Sequence, residues 1–200
     1  MGKSKSSNRD LELLYEISCL RFIQRAWKRF LSPDFQNLAE HHLRVIWIAL
    51  VLAKQEGTKN IEKVMVMALI HDIPESRTGD VDYLQRQYVK RNQKMGISDM
   101  LADTSLSDLT SLWEEYEKQK SIEARIVKDA DNLDVDLEIR EQEVRGHSLG
   151  KDWKKHRSHV EKNKLYTESA KRLWGMIQKS NPHDWHLKGR NRFNSGDWKE

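Results

Sequence analysis

An all-α fold is predicted by three features of the 200-residue sequence. Charged residues make up 33% and hydrophobic residues 38%, with nine Gly and three Pro, a balance typical of helical globular chains. Apolar residues recur at close to 3.6-residue spacing over long stretches, and no segment alternates strictly between apolar and polar. Two hundred residues suffice for one core, so a single helical bundle is expected.

The first helix is predicted from Asp10 to about Leu31, on apolar positions including Leu11, Leu14, Ile17, Leu20, Ile23, Trp27 and Phe30. The only cysteine, Cys19, lies in this pattern and is read as a buried, inert thiol. SerProAsp at 32–34 breaks the helix, and a second runs from about Phe35 to Gln55 with Gly57 as its stop. The unbroken apolar run Val45 to Ala53 leaves it no polar face there, which places it at the centre of the core. Asn60 caps a third helix, which closes around Pro74 and Gly79, and Asp80 is positioned to begin a short helix.

Further helices are predicted at about 105–118, 121–146 and 159–179, followed by a tail, 181–200, with turn residues and no period. Residues 1–180 are therefore read as one domain. No apolar run reaches the ~18 residues of a membrane span, and the N-terminus has no signal-peptide character, so a cytoplasmic protein is expected. The net charge of +4 and pI near 9.0 admit a polyanionic or anionic partner. Basic residues concentrate at 85–94 and 151–164, where a solvated helix face is the simpler explanation.

Four side chains on three apolar helices call for a partner. His41 shares a stripe with Leu38, Val45, Ile48 and Leu52; His71 extends the stripe of Val64, Met67 and Ala68, with Asp72 directly after it. Asp131 lies one turn from Val127 and from Val135, and a carboxylate so placed needs a cation to offset its desolvation. Two imidazoles and two carboxylates would suit one divalent cation with positions left open, as in a catalytic rather than a structural site. By spacing alone His42, flanked by Leu38, Val45, Ile46 and Ala49, fits almost as well as His41.

The order of His41, the adjacent pair His71 and Asp72, and Asp131 about sixty residues on resembles the H…HD…D signature of HD-domain metal-dependent phosphohydrolases. Within that superfamily HDIPESRTGDV resembles the HDxxExxxGD motif of the 5′-deoxynucleotidase branch, and LWEEYEKQKSIEARIVKDADNLD its WEEYE…EA…VKxxD segment. LAEHHLRV resembles the branch's EH-containing helix, which implies His41 as the ligand because it follows Glu40. The motif core spans about 36–145 and the wider resemblance about 11–145. The chain departs in having Arg25, Ala26 and Trp27 where the branch carries Arg-Trp or Arg-Thr-Gly-Trp.

The resemblance implies an all-α HD-domain bundle and removal of phosphate from deoxynucleoside 5′-monophosphates with Co, Mn, Fe, Ni, Zn or Mg; a homodimer is expected beside it. It implies His41, His71, Asp72 and Asp131 as metal ligands and Glu75 as the residue that orients or deprotonates water. A second cation site would use Glu75, Asp80 and the carbonyl of Val81. Arg25 would hold phosphate, Trp27 the sugar or base, and Asp80 the sugar. Without the resemblance, Glu75 reads as an exposed acid at a helix end, Asp80 as a helix cap and Trp27 as core. Two other readings stand beside this one: a nucleoside triphosphohydrolase, and a basic helical module that binds nucleic acid. Hydrolysis of ppGpp is less favoured, because Ser76 rather than an acid follows Glu75.

Overall fold

A computed structural model describes residues 3–31 and 34–188, with side chains from residue 8 onward. Ten α-helices form among them, in the order α1 Lys3–Ser18, α2 Leu38–Gln55, α3 Ile61–Ile70, α4 Glu75–Thr78, α5 Gln93–Leu101, α6 Leu109–Lys118, α7 Ile122–Val144, α8 Leu149–Lys164, α9 Glu168–Ile177 and α10 Asp184–Leu187. The described residues contain no strand, only an isolated bridge between Gln24 and Asn37.

Local capping sets the starts of the helices that build the centre. Asn37 accepts from the Glu40 amide at 3.0 Å while the Glu40 carboxylate accepts from the Asn37 amide at 2.8 Å, a reciprocal box that fixes where α2 begins. Asn60, Ser121 and Thr167 cap α3, α7 and α9 in the simpler one-way manner. α2, α3, α7 and α9 then bury a shared core that includes Leu52, Val64, Met67, Ile126 and Leu133, all fully buried. Each such side chain contributes about 1.5–3 kcal/mol by leaving water. α1, α5 and Trp113 of α6 enclose a second apolar group around Leu38, Ile97 and Met100.

Several expectations are corrected by the structure. The predicted first helix stops at Ser18, and two 3-10 turns, Cys19–Phe22 and Ala26–Arg29, carry the apolar spacing onward. Those turns have nearly the same side-chain period as an α-helix, so periodicity alone does not mark the break. Between them the chain is extended: the Ile23 carbonyl accepts from the Leu38 amide and the Arg25 amide donates to the Gln36 carbonyl, tying 23–25 to the residues before α2. Cys19 is exposed, not buried.

α2 is central on one side only, since Leu43 and Trp47 are 61% and 62% exposed. The predicted final helix is two, α8 and α9, because Leu165 is extended and the 165–167 link is held by Asp129 of α7. α5 was not predicted at all. Asp80 caps no helix; the 3-10 turn at Gln85–Gln87 is held by Asp82, which accepts from the amides of Leu84 and Gln85. Residues 32, 33 and 189–200, including most of the predicted tail, lie outside the described residues. No described helix is long and apolar enough to cross a membrane.

Candidate metal centre

α2, the end of α3 and the middle of α7 deliver three of the sequence-predicted ligands to one point, and the fourth follows from chain adjacency. His41 is fully buried on α2, His71 is the residue that ends α3, Asp72 is next in the chain, and Asp131 lies near the middle of α7. His41 Nε2 is 3.3 Å from His71 Nε2, 3.5 Å from Asp72 Oδ2 and 3.5 Å from Asp131 Oδ1; His71 Nε2 is 3.4 Å from Asp72 Oδ2. One donor atom from each of the four lies within 4.8 Å of all the others.

The two imidazoles are already committed at their other nitrogens. His41 Nδ1 lies 2.6 Å from Asp134 Oδ2 and His71 Nδ1 lies 2.7 Å from the Ala68 carbonyl. Both acceptors require a proton on Nδ1, which leaves both Nε2 lone pairs facing each other and two carboxylates. Such a set of lone pairs repels unless a cation sits among them. Separations of 3.3–3.5 Å are those between neighbouring ligands around an ion at ~2.1 Å, so the residues fit a divalent cation with mixed N and O donors.

The electrostatics agree with that fit. Burial and the Arg25 charge oppose protonation of His41, but the Asp134 carboxylate outweighs them and raises its pKa to about 9 in the absence of a cation. Burial holds His71 below the ordinary histidine value. Burial opposes ionisation of Asp131, yet Lys128, with Nζ 2.8 Å from its Oδ2, brings it down to about 2. Asp72 likewise stays ionised against burial because His71, His41 and Arg25 surround it. His42 is outside the group of four. Its ring stacks on His71 at 4.6 Å with an interplanar angle of 32°, its Nε2 is buried with no hydrogen-bond partner, and burial keeps it neutral.

A cavity of about 520 Å³ opens over the two aspartates, and the remaining predicted residues line it. Arg25 is 5% exposed; its Nη1 reaches Asp80 Oδ2 at 3.1 Å and Asp72 Oδ2 at 3.7 Å, and its Nε is buried without a partner. Asp80 also accepts from the Ala26 amide at 3.0 Å, so it clamps the turn that carries Arg25. Glu75 is buried rather than exposed. Its Oε1 accepts from Arg91 at 2.7 Å, its Oε2 has no partner, and burial with the nearby charges of Asp72 and Asp80 pushes its pKa well above the usual carboxylate value. Trp27 is half-buried, edge-on to Trp153 at 5.0 Å, and belongs both to the cavity wall and to an apolar group with Leu31 and Phe35. The Val81 carbonyl accepts from Arg86 Nε at 3.1 Å.

Three residues at the site were missed from sequence. Lys128 and Asp134 flank Asp131 by three residues on either side, a spacing that puts all three on one face of α7 and could have singled them out. Arg91 gave no such signal, because it sits in the basic run read as a solvated face.

A family model described as HD domain matches residues 17–178, and the chain belongs to that family. Among curated proteins it is 33% identical over 114 residues to 5′-deoxynucleotidase HDDC2 of Danio rerio, covering 54% of this chain and 56% of that protein. It is 32% identical over 142 residues to 5′-deoxynucleotidase VV1113 of Vibrio vulnificus, covering 62% of this chain and 70% of the relative. The matched region thus spans little more than half the length of the zebrafish relative. Among solved structures, a conserved hypothetical protein from Pyrococcus furiosus superposes with a TM-score of 0.68 at 26% identity, over 84% of this chain and 97% of that one. A cyanophage S-2L HD phosphohydrolase, solved with dA and one catalytic Zn2+ ion, shares the fold at a TM-score of 0.56 and 18% identity, over 83% and 96% of the two chains.

Proposed function

We propose that the chain is a divalent-metal-dependent 5′-deoxynucleotidase that hydrolyses deoxynucleoside 5′-monophosphates to nucleoside and phosphate. The observation that carries this reading is the convergence of His41, His71, Asp72 and Asp131 at one side of a cavity that Arg25 also lines. The names of the zebrafish and Vibrio relatives support the choice of substrate.

His41, His71, Asp72 and Asp131 would hold the cation, which supplies a Lewis acid for phosphoryl oxygens and favours ionisation of water near neutral pH. Arg25, charged despite burial because Asp80 and Asp72 face it, lines the cavity and is the cation suited to pair with phosphate oxygens. Attack of water on phosphorus breaks the bond to the 5′ oxygen, which must leave with a proton. Glu75 is suited to take a proton from the attacking water and return it to the 5′ oxygen, since Arg91 fixes one oxygen of a carboxyl whose hold on a proton is strengthened by burial. Asp80 keeps Arg25 in place, and Trp27 offers an aromatic edge to the nucleoside. A second cation site would draw on the Glu75 and Asp80 carboxylates and the Val81 carbonyl, residues that all line the cavity.

A panel of deoxynucleoside and ribonucleoside mono- and triphosphates, assayed for phosphate and pyrophosphate with Mn(II) or Co(II), tests the reading. Release of phosphate from deoxynucleoside monophosphates supports it, and release confined to triphosphates would replace it with a triphosphohydrolase. The nucleic-acid reading is weakened by two residues of the basic runs: Arg91 is spent on Glu75, and Arg157 is buried against Asp136. A homodimer and a cytoplasmic location belong to the same proposal. Leu43, Trp47 and Val51, one stripe of exposed apolar side chains on α2, support the dimer, which light scattering on the purified protein would reveal.

A further inference from the structure

Asp134 is fully buried in the packing of α2 against α7, a costly place for a carboxylate. Three side-chain donors converge on it: His41 Nδ1 at 2.6 Å and Gln36 Nε2 at 2.5 Å on Oδ2, and Arg44 Nε on Oδ1. Arg44 is held in turn by Glu138, with Nη2 2.7 Å from Oε2, and by Glu141 and the carbonyl side of Gln36. Helix packing does not require this network. The α2–α7 contact is already made by Val45, Ala49 and Leu52 against Ile126, Ala130 and Leu133, and apolar residues at the polar positions would serve as well for cohesion alone.

The network does one thing that apolar residues could not: as an ionised acceptor, Asp134 obliges His41 to carry its proton on Nδ1 and so turns the Nε2 lone pair toward Asp72, Asp131 and His71. The two histidines differ here, because His71 is oriented by a backbone carbonyl that mutation cannot remove. The geometry is also paired by helix: α2 carries the ligand His41 and the brace Arg44 three residues on, and α7 carries the ligand Asp131 and the brace Asp134 three residues on. We propose that Asp134, steadied by Arg44 and Gln36, is a positioning residue for His41 that sets the affinity of the metal centre. This rests on the reading of the four residues as metal ligands.

The test measures Co(II) and Mn(II) dissociation constants by competition with a chelator, together with the visible absorption of bound Co(II). Asp134→Asn should weaken both cations roughly 10–100-fold, because the amide nitrogen then meets donors on one side, and should alter the Co(II) spectrum. Arg44→Met, at a partly exposed residue, should weaken them by a smaller factor, between wild type and Asp134→Asn. Asp136→Asn breaks the buried pair with Arg157 on the same helix without touching a ligand, and should leave metal affinity within about twofold of wild type despite lost stability. If Asp134→Asn does not fold, Arg44→Met carries the test alone: unchanged affinity overturns the proposal. So does wild-type affinity in Asp134→Asn, or an equal loss in Asp136→Asn. Failure of wild-type protein to bind either cation would instead overturn the metal-site reading beneath it.

Discussion

Arg91 Nη1 lies 2.7 Å from Glu75 Oε1 and 2.9 Å from the Gly79 carbonyl, so one guanidinium joins the first residue of α4 to the residue that ends it. Gly79 has φ of +73°, a conformation that side-chain-bearing residues rarely adopt, and it turns the chain so that Asp80 faces Arg25. Glu75, Asp80 and Arg25 are therefore set by one short turn. Glu75→Gln should lower phosphate release roughly 10²–10⁴-fold while metal binding at the four-residue cluster stays within a few-fold of wild type. Single-turnover assays paired with metal titration check this, and full activity in Glu75→Gln would remove Glu75 from the mechanism.

The histidine pair gives a second, independent outcome. His41→Ala should abolish retention of one cation per chain, because it removes an atom central to the cluster, whereas His42→Ala should largely preserve it. Elemental analysis of the dialysed variants decides between them, and the reverse order would reassign the ligand.

Metal-free protein should be most stable near pH 6.5. His41 has a folded pKa raised to about 9 above an unfolded value near 6.5, so its contribution is complete below 6.5 and is lost as pH rises through 9. His42 and His71 have depressed folded values, so the folded state is disfavoured once pH falls below 6.5 and the unfolded histidines take up protons. Denaturant melts of chelated protein from pH 5 to 9.5 would show the maximum. Added Mn(II) should flatten the alkaline side, since the cation takes the place of the proton on His41.

Asp129 tests the link between α7 and the cavity wall. It is fully buried and accepts from the amides of Tyr166 and Thr167 and from the Thr167 hydroxyl at 2.7–2.8 Å. Asp129→Ala strands those donors and should cost about 2–3 kcal/mol, a fall in melting temperature of roughly 5–10 °C. A calorimetric scan unchanged from wild type would show that the link is held by other contacts.

The same helix shows how far the site could be read from sequence. Asp129, Asp134 and Asp136 are buried and Asp131 faces the cavity, and each meets a different partner: the 166–167 link, His41, Arg157 and, for Asp131, the four-residue cluster. Spacing marks Asp131 through its apolar neighbours and says nothing of which carboxylate has which partner, because that depends on α2 and α8 arriving from elsewhere in the chain. The three central helices were legible because their caps and apolar faces are local. The break after Ser18 was not, since it follows from the pairing of 23–25 with 36–38 and from the Asp80 contact to Arg25. Arg91 looked like one more solvated cation until the turn at Gly79 brought Glu75 to it.

The most direct test of the central claim is phosphate release from deoxynucleoside 5′-monophosphates by the purified protein loaded with Co(II) or Mn(II). Turnover that a chelator abolishes and added metal restores, and that His71→Ala lacks, is the predicted result. Fully metallated protein that releases no phosphate from any nucleotide tested would contradict it.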